Sequence, residues 1–220
     1  MTGQVTGQVT GQVMDGMFTV FLVDDDAGVL KALSRMLRAK GYDVRPFASA
    51  EEFLEGHDAA VAGCAVFDVA MPGLDGLALQ QIFTAGGNRR PVIFLTGKGD
   101  IPKSVRAIKA GAIDFLTKPV SDRNLLDAIA RAEGVDAKTR QTSAEVAAIE
   151  AKIATLTPRE RQVLTHVIAG RLNNQIAGDL GTVEKTIKVH RGRMMEKLGV
   201  HTVVDLVRLA EKAGIAAHGK

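Results

Sequence analysis

Short apolar runs alternate with amphipathic segments from residue 18 to residue 132 of this chain of 220 residues. The first apolar run has the length and composition of a buried strand, and the segment after it repeats its apolar residues at helical spacing. The predicted strands are Phe18–Val23, Asp43–Phe47, Cys64–Phe67, Pro91–Leu95 and Ala112–Leu116. The predicted helices are Ala27–Lys40, Ala50–Gly56, Leu74–Thr84, Ile101–Ala110 and Asp122–Ala132. Because strands alternate with helices, we expect an α/β domain with a doubly wound, five-stranded parallel sheet.

The remaining residues predict a smaller domain that is entirely helical. Residues 134–143 are polar and show no period, so we interpret 134–155 as a partly helical linker whose short helix starts near Thr142. Thr157, Pro158 and Glu160 form the pattern of a capped helix start. Helices are predicted at 158–169, 173–180, 183–198 and 202–213. We therefore expect one domain at 17–133 and a second at 156–220.

The composition limits the cellular setting of the protein. A single cysteine, Cys64, excludes an intramolecular disulfide and a cysteine-cluster metal site. No apolar run reaches the roughly 20 residues that a membrane span requires, so no membrane association is expected. The sequence opens with three Thr-Gly-Gln-Val repeats instead of a signal peptide, and we expect residues 1–16 to form a disordered tail. These features predict a soluble protein of the reducing cytoplasm.

The two predicted domains carry opposite net charge. Residues 1–134 hold 14 Lys and Arg against 16 Asp and Glu, whereas residues 135–220 hold 14 against 9. A basic half is typical of contact with nucleic acid, although a solvated charged surface produces the same excess. Aromatic residues make up only 4% of the chain, so stacking on single-stranded nucleic acid is not expected.

Acidic residues directly follow the first and third predicted strands. Asp24 opens a run of three aspartates after the first strand, and Asp68 follows the third. With the strand order 2-1-3-4-5, these strands are neighbours at the point where such sheets bind ligands. Crowded carboxylates repel one another unless a cation neutralises them, and Mg²⁺ is bound by a few carboxylates together with water. Each aspartate taken alone also fits a helix cap or a turn.

A hydroxyl group and an ammonium group follow the next two strands. Thr96 comes after Pro91–Leu95, and Lys118 comes after Ala112–Leu116. With the carboxylates they form a set that suits transfer of a phosphoryl group onto Asp68, because such transfer depends on positioning and charge neutralisation. A Mg²⁺-dependent phosphohydrolase on the same scaffold is an alternative function.

Residues 173–198 match a helix-turn-helix, with its turn at Gly181 and Thr182. One face of the second helix is predicted to be buried and carries Val183, Ile187, Met194 and Leu198. The opposite face is expected to meet the major groove of DNA and carries Lys185, Lys188, Val189, Gly192 and Arg193. Close approach to DNA and helix packing both explain a glycine at 192. His190 is expected near the core, and Arg191 and Lys197 as phosphate contacts or solvated charges.

Four segments resemble the receiver domain of two-component response regulators, over about residues 17–133: Val23–Asp26, Asp68–Gly73, Leu95–Asp100 and Ala110–Pro119. The resemblance implies a flavodoxin-like fold with Asp68 as phosphoacceptor. It also implies Mg²⁺ held by Asp24, Asp25, Asp68 and the carbonyl of Ala70. The family often has a larger side chain at position 70, so the alanine leaves the dephosphorylation rate open. Further implied site residues are Thr96 and Lys118 on the phosphoryl group, Phe115 as a rotameric switch, and Pro119 after a cis peptide bond.

Residues 155–215 resemble the LuxR-type DNA-binding domain through the segments Leu156–Leu164, Asn174–Ala177 and Thr186–Arg191. The combination is that of NarL/FixJ-type regulators and is most similar to the FixJ branch. The resemblance implies that Lys188 and Val189 reach base edges and that Thr182 and Lys185 lie near phosphates. It also implies dimer contacts at Val105, Ile108 and Lys109 in the first domain and at Leu206, Val207 and Ala210 in the last helix.

The resemblance implies a transcription factor that a sensor histidine kinase phosphorylates on Asp68. Phosphorylation is expected to promote a homodimer that binds specific sites on double-stranded DNA and acts with RNA polymerase. Such a protein is not an enzyme, beyond accepting the phosphoryl group and losing it slowly. A regulator that works without phosphorylation is a further alternative.

Overall fold

The computed structural model describes residues 17–97 and 111–215. The chain divides into two compact units, of which the first ends at Thr139 and the second begins at Arg140. The tail predicted at 1–16, the helix predicted at Ile101–Ala110 and the dimer candidates Val105, Ile108 and Lys109 lie outside the described residues.

The first unit contains the five-stranded parallel sheet that the sequence predicts. Its strands are β1 (Thr19–Val23), β2 (Asp43–Phe47), β3 (Gly63–Asp68), β4 (Val92–Thr96) and β5 (Asp114–Thr117), in the order β2-β1-β3-β4-β5. All four pairings are parallel, and each predicted strand boundary lies within two residues of the observed one. The predicted strand order is thereby confirmed.

The sheet has a hydrophobic core on each of its faces, because successive side chains in a strand point to opposite faces. One core is rich in phenylalanine and includes Phe21, Phe53, Phe67 and Phe94. The other is aliphatic and includes Val20, Leu22, Ile93 and Ile129. Strands buried on both faces read as continuous apolar runs, which is why they were recognisable in the sequence.

Three helices connect the strands up to β4: α1 (Ala27–Ala39), α2 (Ala50–Gly56) and α3 (Gly76–Ala85). Each begins after a residue whose side chain accepts hydrogen bonds from the first turn, namely Asp26, Ser49 and Asp75. Asp26 Oδ1 accepts from the amides of Gly28 and Val29 at 2.7 and 3.2 Å. The third aspartate of the acidic run is therefore a helix cap, whereas the first two remain candidates for the site.

One helix corrects the predicted linker. Helix α4 runs without interruption from Asp122 to Ala154, whereas the sequence analysis ended it at Ala132 and started a separate helix near Thr142. The buried stripe of α4 continues from Ala132 to position 136, where the residue is aspartate instead of an apolar one. The helical spacing of apolar residues was therefore interrupted in the sequence at this position. The polar residues in the rest of this stretch are compatible with an exposed helix.

The second unit also contains α5 (Pro158–Ile168), α6 (Asn173–Asp179), α7 (Glu184–Leu198) and α8 (Val203–Lys212), each within one residue of its predicted bounds. The predicted capping box is present: the Glu160 amide donates to Thr157 Oγ1 at 3.3 Å, and Glu160 Oε2 accepts from the Thr157 amide at 2.9 Å. The core joins all four helices and includes Leu164, Ile176, Ile187 and Leu206.

Two predictions about side chains in the second unit are wrong. Val183 is 64% exposed, because it is the N-cap of α7 and its extended backbone takes it off the helical face that Ile187, Met194 and Leu198 share. Leu206 and Ala210 are buried within the unit, so they do not offer a surface to a second copy. Val207 on the same helix is half-buried.

Within the described ranges, no helix combines the length and apolar character needed to cross a membrane.

Candidate functional sites

Two aspartates and a lysine from three separate strand ends meet at one edge of the sheet. Asp24 follows β1, Asp68 is the last residue of β3, and Lys118 follows β5. Asp24 and Asp68 are only 1% and 5% exposed, whereas Asp25 is exposed. Oxygens of the three carboxylates lie within 4.8 Å of one another. The structure therefore brings together the residues that the sequence placed at successive strand ends.

The Lys118 ammonium bridges the two buried carboxylates. Its Nζ donates to Asp24 Oδ2 at 2.6 Å and lies 3.2 Å from Asp68 Oδ1. Asp68 Oδ1 is buried and accepts no hydrogen bond of good geometry from any described residue. Among the described residues, this oxygen is stabilised by the nearby positive charge of Lys118, so it retains the capacity to bind a further ligand.

Burial and the ion pair have opposite effects on the pKa values of Asp24 and Lys118. Burial raises the pKa of the Asp24 carboxyl, while the hydrogen bonds from Lys118 and from the Asp26 amide lower it and leave a net rise. Burial lowers the pKa of Lys118, but the hydrogen bond and charge of Asp24 and the charge of Asp68 outweigh this and raise it. The ammonium is thus firmly protonated and neutralises part of the charge of the carboxylates.

The donor set of this edge fits a hard divalent cation. Three carboxylates offer oxygens within 4.8 Å of one another, and one buried oxygen, Asp68 Oδ1, has the Lys118 ammonium 3.2 Å away but does not meet the criteria for a hydrogen bond with any described residue. Asp25 is exposed, which leaves room for water molecules beside a cation. Mg²⁺ has this preference for a few carboxylates and retained water.

The structure also describes the four other residues that were predicted for this site. Thr96 ends β4, is buried and donates from Oγ1 to the Gly97 carbonyl at 3.1 Å. Phe115 lies in β5 and is half-buried, with its ring centroid 6.0 Å from that of Phe94. The Lys118–Pro119 peptide bond is cis, as predicted. Ala70 is exposed two residues after Asp68.

Sequence reasoning missed the role of Gly76 beside the site. Gly76 is the first residue of α3, and a Cβ atom at this position would lie 2.2 Å from the Asp68 carbonyl oxygen. Only glycine permits this approach, so the start of α3 packs directly against the backbone of Asp68. The signal available in the sequence was a glycine directly after Asp75, the helix cap.

Helices α6 and α7 form the predicted helix-turn-helix. The turn contains Gly181 at φ +63°, and the Thr182 amide donates to the Ala177 carbonyl at 2.9 Å. The predicted groove-facing residues Lys185, Lys188, Val189, Gly192 and Arg193 are all exposed. A Cβ atom at position 192 would meet nothing within 4 Å, so packing within the described unit does not require this glycine. The exposed face of α7 is therefore free for a partner outside the unit.

Two basic residues of α7 have structural partners that the sequence analysis did not assign. Arg191 Nη1 donates to Asn173 Oδ1 at 2.9 Å, which ties α7 to α6. Lys197 Nζ lies 2.7 Å from Glu160 Oε2 and 3.2 Å from the Thr155 carbonyl oxygen, which ties α7 to the start of α5. His190 is half-buried, in line with its expected place near the core.

Comparison with known proteins matches each of the two units to a known protein family. The response regulator receiver domain matches residues 20–130, and the luxR family of bacterial regulatory proteins matches residues 154–210. Nodulation protein W of Bradyrhizobium diazoefficiens is 42% identical over 199 residues, which cover 90% of this chain and 88% of that protein. The transcriptional regulatory protein FixJ of the same organism is 38% identical over 196 residues, which cover 89% and 96%.

Solved structures give the same result. The response regulator StyR has a TM-score of 0.77 at 45% identity, covering 90% of this chain and 100% of that chain. Full-length FixJ from B. japonicum has a TM-score of 0.54 at 38% identity, covering 90% and 98%. Since both domains match in this order, the chain belongs to the NarL/FixJ-type two-component response regulators, transcription factors with a receiver domain followed by a LuxR-type DNA-binding domain.

Proposed function

We propose that this regulator is switched by transfer of a phosphoryl group from a sensor histidine kinase to Asp68. The observation that supports this most strongly is the buried Asp68 Oδ1, which lies 3.2 Å from the Lys118 ammonium and accepts no hydrogen bond from the described residues. In the transfer, a carboxylate oxygen of Asp68 forms the new bond to phosphorus as the bond from phosphorus to the kinase imidazole nitrogen breaks. The imidazole keeps the electron pair of that bond.

Asp24, Asp25, Asp68 and the carbonyl of Ala70 would hold Mg²⁺ for this transfer. Bound there, the ion would neutralise the charge that accumulates between the carboxylates and the incoming phosphoryl group. Asp24 and Asp68 are held in place by burial and by Lys118, so little reorganisation is needed before the reaction.

Three residues convert the new charge into a change of surface. Once Asp68 carries a phosphoryl group, the Lys118 ammonium pairs with it and the Thr96 hydroxyl donates to one of its oxygens in place of the Gly97 carbonyl. Phe115 then moves inward into the space that Thr96 leaves. The surface that changes with Thr96 and Phe115 promotes formation of a homodimer. In the second unit, Val207 of α8 is a candidate dimer contact.

The exposed face of α7 reads DNA in this proposal. Lys188 and Val189 contact base edges, Lys185 and Thr182 lie near phosphates, and Gly192 with Arg193 allows close approach further along the helix. Two such helices in a dimer would enter successive major grooves of a near-palindromic site and act with RNA polymerase in the cytoplasm. We assign residues 17–133 to the receiver domain, with the segment 134–155 joining it to a DNA-binding domain at 156–220.

A comparison of the full chain with and without beryllofluoride, a phosphoryl mimic, tests the proposal. Sedimentation velocity should show a shift from monomer to dimer, and affinity for a duplex recovered by the protein from a randomised pool should rise. Equal dimerisation and equal DNA affinity in both states would instead support a regulator that works without phosphorylation. Steady turnover of a phosphate ester would support a Mg²⁺-dependent phosphohydrolase.

A further inference from the structure

A buried carboxylate holds helix α4 to the first unit beyond the range that matches the receiver family. Asp136 is 4% exposed, and its Oδ2 accepts a hydrogen bond from the Gly63 amide at 3.2 Å. The match to the receiver family ends at residue 130, and the first compact unit ends at Thr139. Asp136 is also the last buried residue of α4. It is therefore the final point at which this helix is fixed to the interior of the first unit.

The surroundings of Asp136 are suited to a buried negative charge. Gly63, which donates to it, approaches β1 so closely that a Cβ atom would lie 2.2 Å from the Thr19 carbonyl oxygen. Arg90 is also buried, and both Arg90 and Asp136 act electrostatically on the thiol of Cys64, the residue after Gly63. A buried carboxylate is stable where a fixed donor and an opposite charge lie near it.

The helix is intrinsically weak two residues before this contact. Gly134 lies inside α4, and a Cβ atom there would meet nothing within 4 Å, so packing does not require the glycine. Glycine favours a helix about fivefold less than alanine does. Val135 and Ala137 are exposed on either side of Asp136, so burial of apolar side chains does not hold the helix here. The contact between Asp136 and Gly63 therefore adds stabilisation where the helix propensity is low and no apolar side chain next to Asp136 is buried.

We propose that Asp136 is a positioning residue for the junction between the receiver domain and the DNA-binding domain. Its bond to Gly63 keeps α4 helical across Gly134, so that the state of the receiver is passed on through a continuous helix. Strand β3 begins with Gly63 and ends at Asp68, and one strand thus carries the anchor of the junction and the phosphoacceptor. Only this functional consequence rests on the proposed phosphorylation of Asp68.

Hydrogen exchange of the full chain, read by mass spectrometry, tests the anchor directly. In Asp136→Ala, the amides of residues 137–144 should exchange about tenfold faster, the size expected for loss of one buried hydrogen bond. Asp136→Asn keeps an oxygen that accepts from Gly63 and should restore most of the protection. Gly134→Ala should slow exchange about fivefold in the same residues. All three variants should incorporate phosphoryl on Asp68 at the wild-type rate.

The functional readout is the ratio of DNA affinities with and without beryllofluoride. This ratio should fall towards one in Asp136→Ala and be retained in Asp136→Asn and Gly134→Ala. Unchanged exchange of 137–144 in Asp136→Ala, or an unchanged affinity ratio despite faster exchange, would overturn the proposal. If Asp136→Ala does not fold, the contrast between the other two variants decides by the same measurements. A wild type that does not respond to beryllofluoride would contradict the switch at Asp68, while exchange would still test the anchor.

Discussion

The Lys118 ammonium donates to Asp24 at 2.6 Å, a shorter contact than the 3.2 Å that separates it from Asp68. The lysine that is expected to bind the phosphoryl group is therefore held first by a carboxylate of the proposed metal site. Burial raises the pKa of Asp24, and the hydrogen bond from Lys118 opposes that rise. The lysine therefore stabilises the charged form of this buried carboxylate in the absence of a ligand. We infer that Lys118 changes its main partner when Asp68 is phosphorylated.

Replacing this lysine should make the stability of the first unit depend strongly on Mg²⁺. Lys118→Met removes the cation that contacts both buried carboxylates, and we expect a loss of roughly 2–4 kcal/mol in the presence of a chelator. Excess Mg²⁺ should recover much of the loss, because a bound cation replaces the missing charge. Thermal unfolding with chelator and with Mg²⁺ measures both values, with the exposed Lys31→Met on α1 as control. An equal loss in both conditions contradicts the account.

Substitution of Gly76 should disturb the site as much as substitution of its side chains does. In Gly76→Ala the new methyl group would lie 2.2 Å from the Asp68 carbonyl oxygen, so either the start of α3 or the backbone of Asp68 has to move. We expect a loss of about 2 kcal/mol in the free energy of unfolding and slower phosphoryl incorporation. Gly86→Ala, at the other end of α3, would meet atoms only at 3.5 Å and is the matched control. A wild-type labelling rate in Gly76→Ala would show that this contact does not position Asp68.

The ion pair between Glu160 and Lys197 should make the second unit sensitive to acid. The hydrogen bond from Lys197, with that from the Thr157 amide, lowers the pKa of Glu160 below its usual value of 4.5. A carboxyl group whose pKa is lower in the folded state contributes stability above its unfolded pKa and loses that contribution as the pH falls through the folded value. Glu160→Gln should therefore cost about 1–2 kcal/mol at neutral pH, discounted for the exposure of Lys197, and progressively less below pH 4.5.

Urea unfolding of the full chain over this pH range measures the effect. Glu145→Gln is the matched control, because Glu145 also pairs with a lysine, Lys212, but both groups lie on the surface. That variant should differ little from the wild type at any pH. A penalty for Glu160→Gln that stays constant below pH 4.5 would mean that the ion pair is not its source.

On the recognition helix, Lys188→Ala should weaken specific binding of DNA by roughly 1–3 kcal/mol. Lys188 is exposed on α7, and its ammonium lies 3.1 Å from a carboxylate oxygen of Glu184, one turn earlier on the same helix. The control is Lys212→Ala, which removes the same charge from α8. Fluorescence anisotropy with a selected duplex and with a random duplex separates specific from general binding. Equal effects of the two substitutions would argue that this face of α7 does not read bases.

The sheet and the acidic site were predictable because both depend on short-range features of the sequence. Strands buried on two faces are continuous apolar runs, and the carboxyl ends of parallel strands meet at one edge. Asp24, Asp68 and Lys118 therefore had to lie near one another once their strands were placed. The same reasoning could not separate Asp26 from its neighbours, because a helix cap and a metal ligand have the same residue type.

The features that were missed or wrongly predicted have different physical causes. Asp136 continues the buried stripe of α4 as a carboxylate, and its bond to Gly63, 73 residues away, could not be read from the local pattern. Val183 is exposed because a helical wheel does not apply to an N-cap with an extended backbone. Leu206 has the spacing of an interface residue, yet apolar spacing looks the same for the core of a domain as for a dimer contact.

The most direct test of the account is phosphoryl incorporation from a small-molecule donor, located by mass spectrometry. The wild type should gain one phosphoryl group on Asp68 in the presence of Mg²⁺ and none with chelator. Asp68→Asn should remain unlabelled, should not dimerise when the donor is added and should show no rise in DNA affinity. Labelling retained in Asp68→Asn, or a wild-type label on another residue, would contradict the central claim.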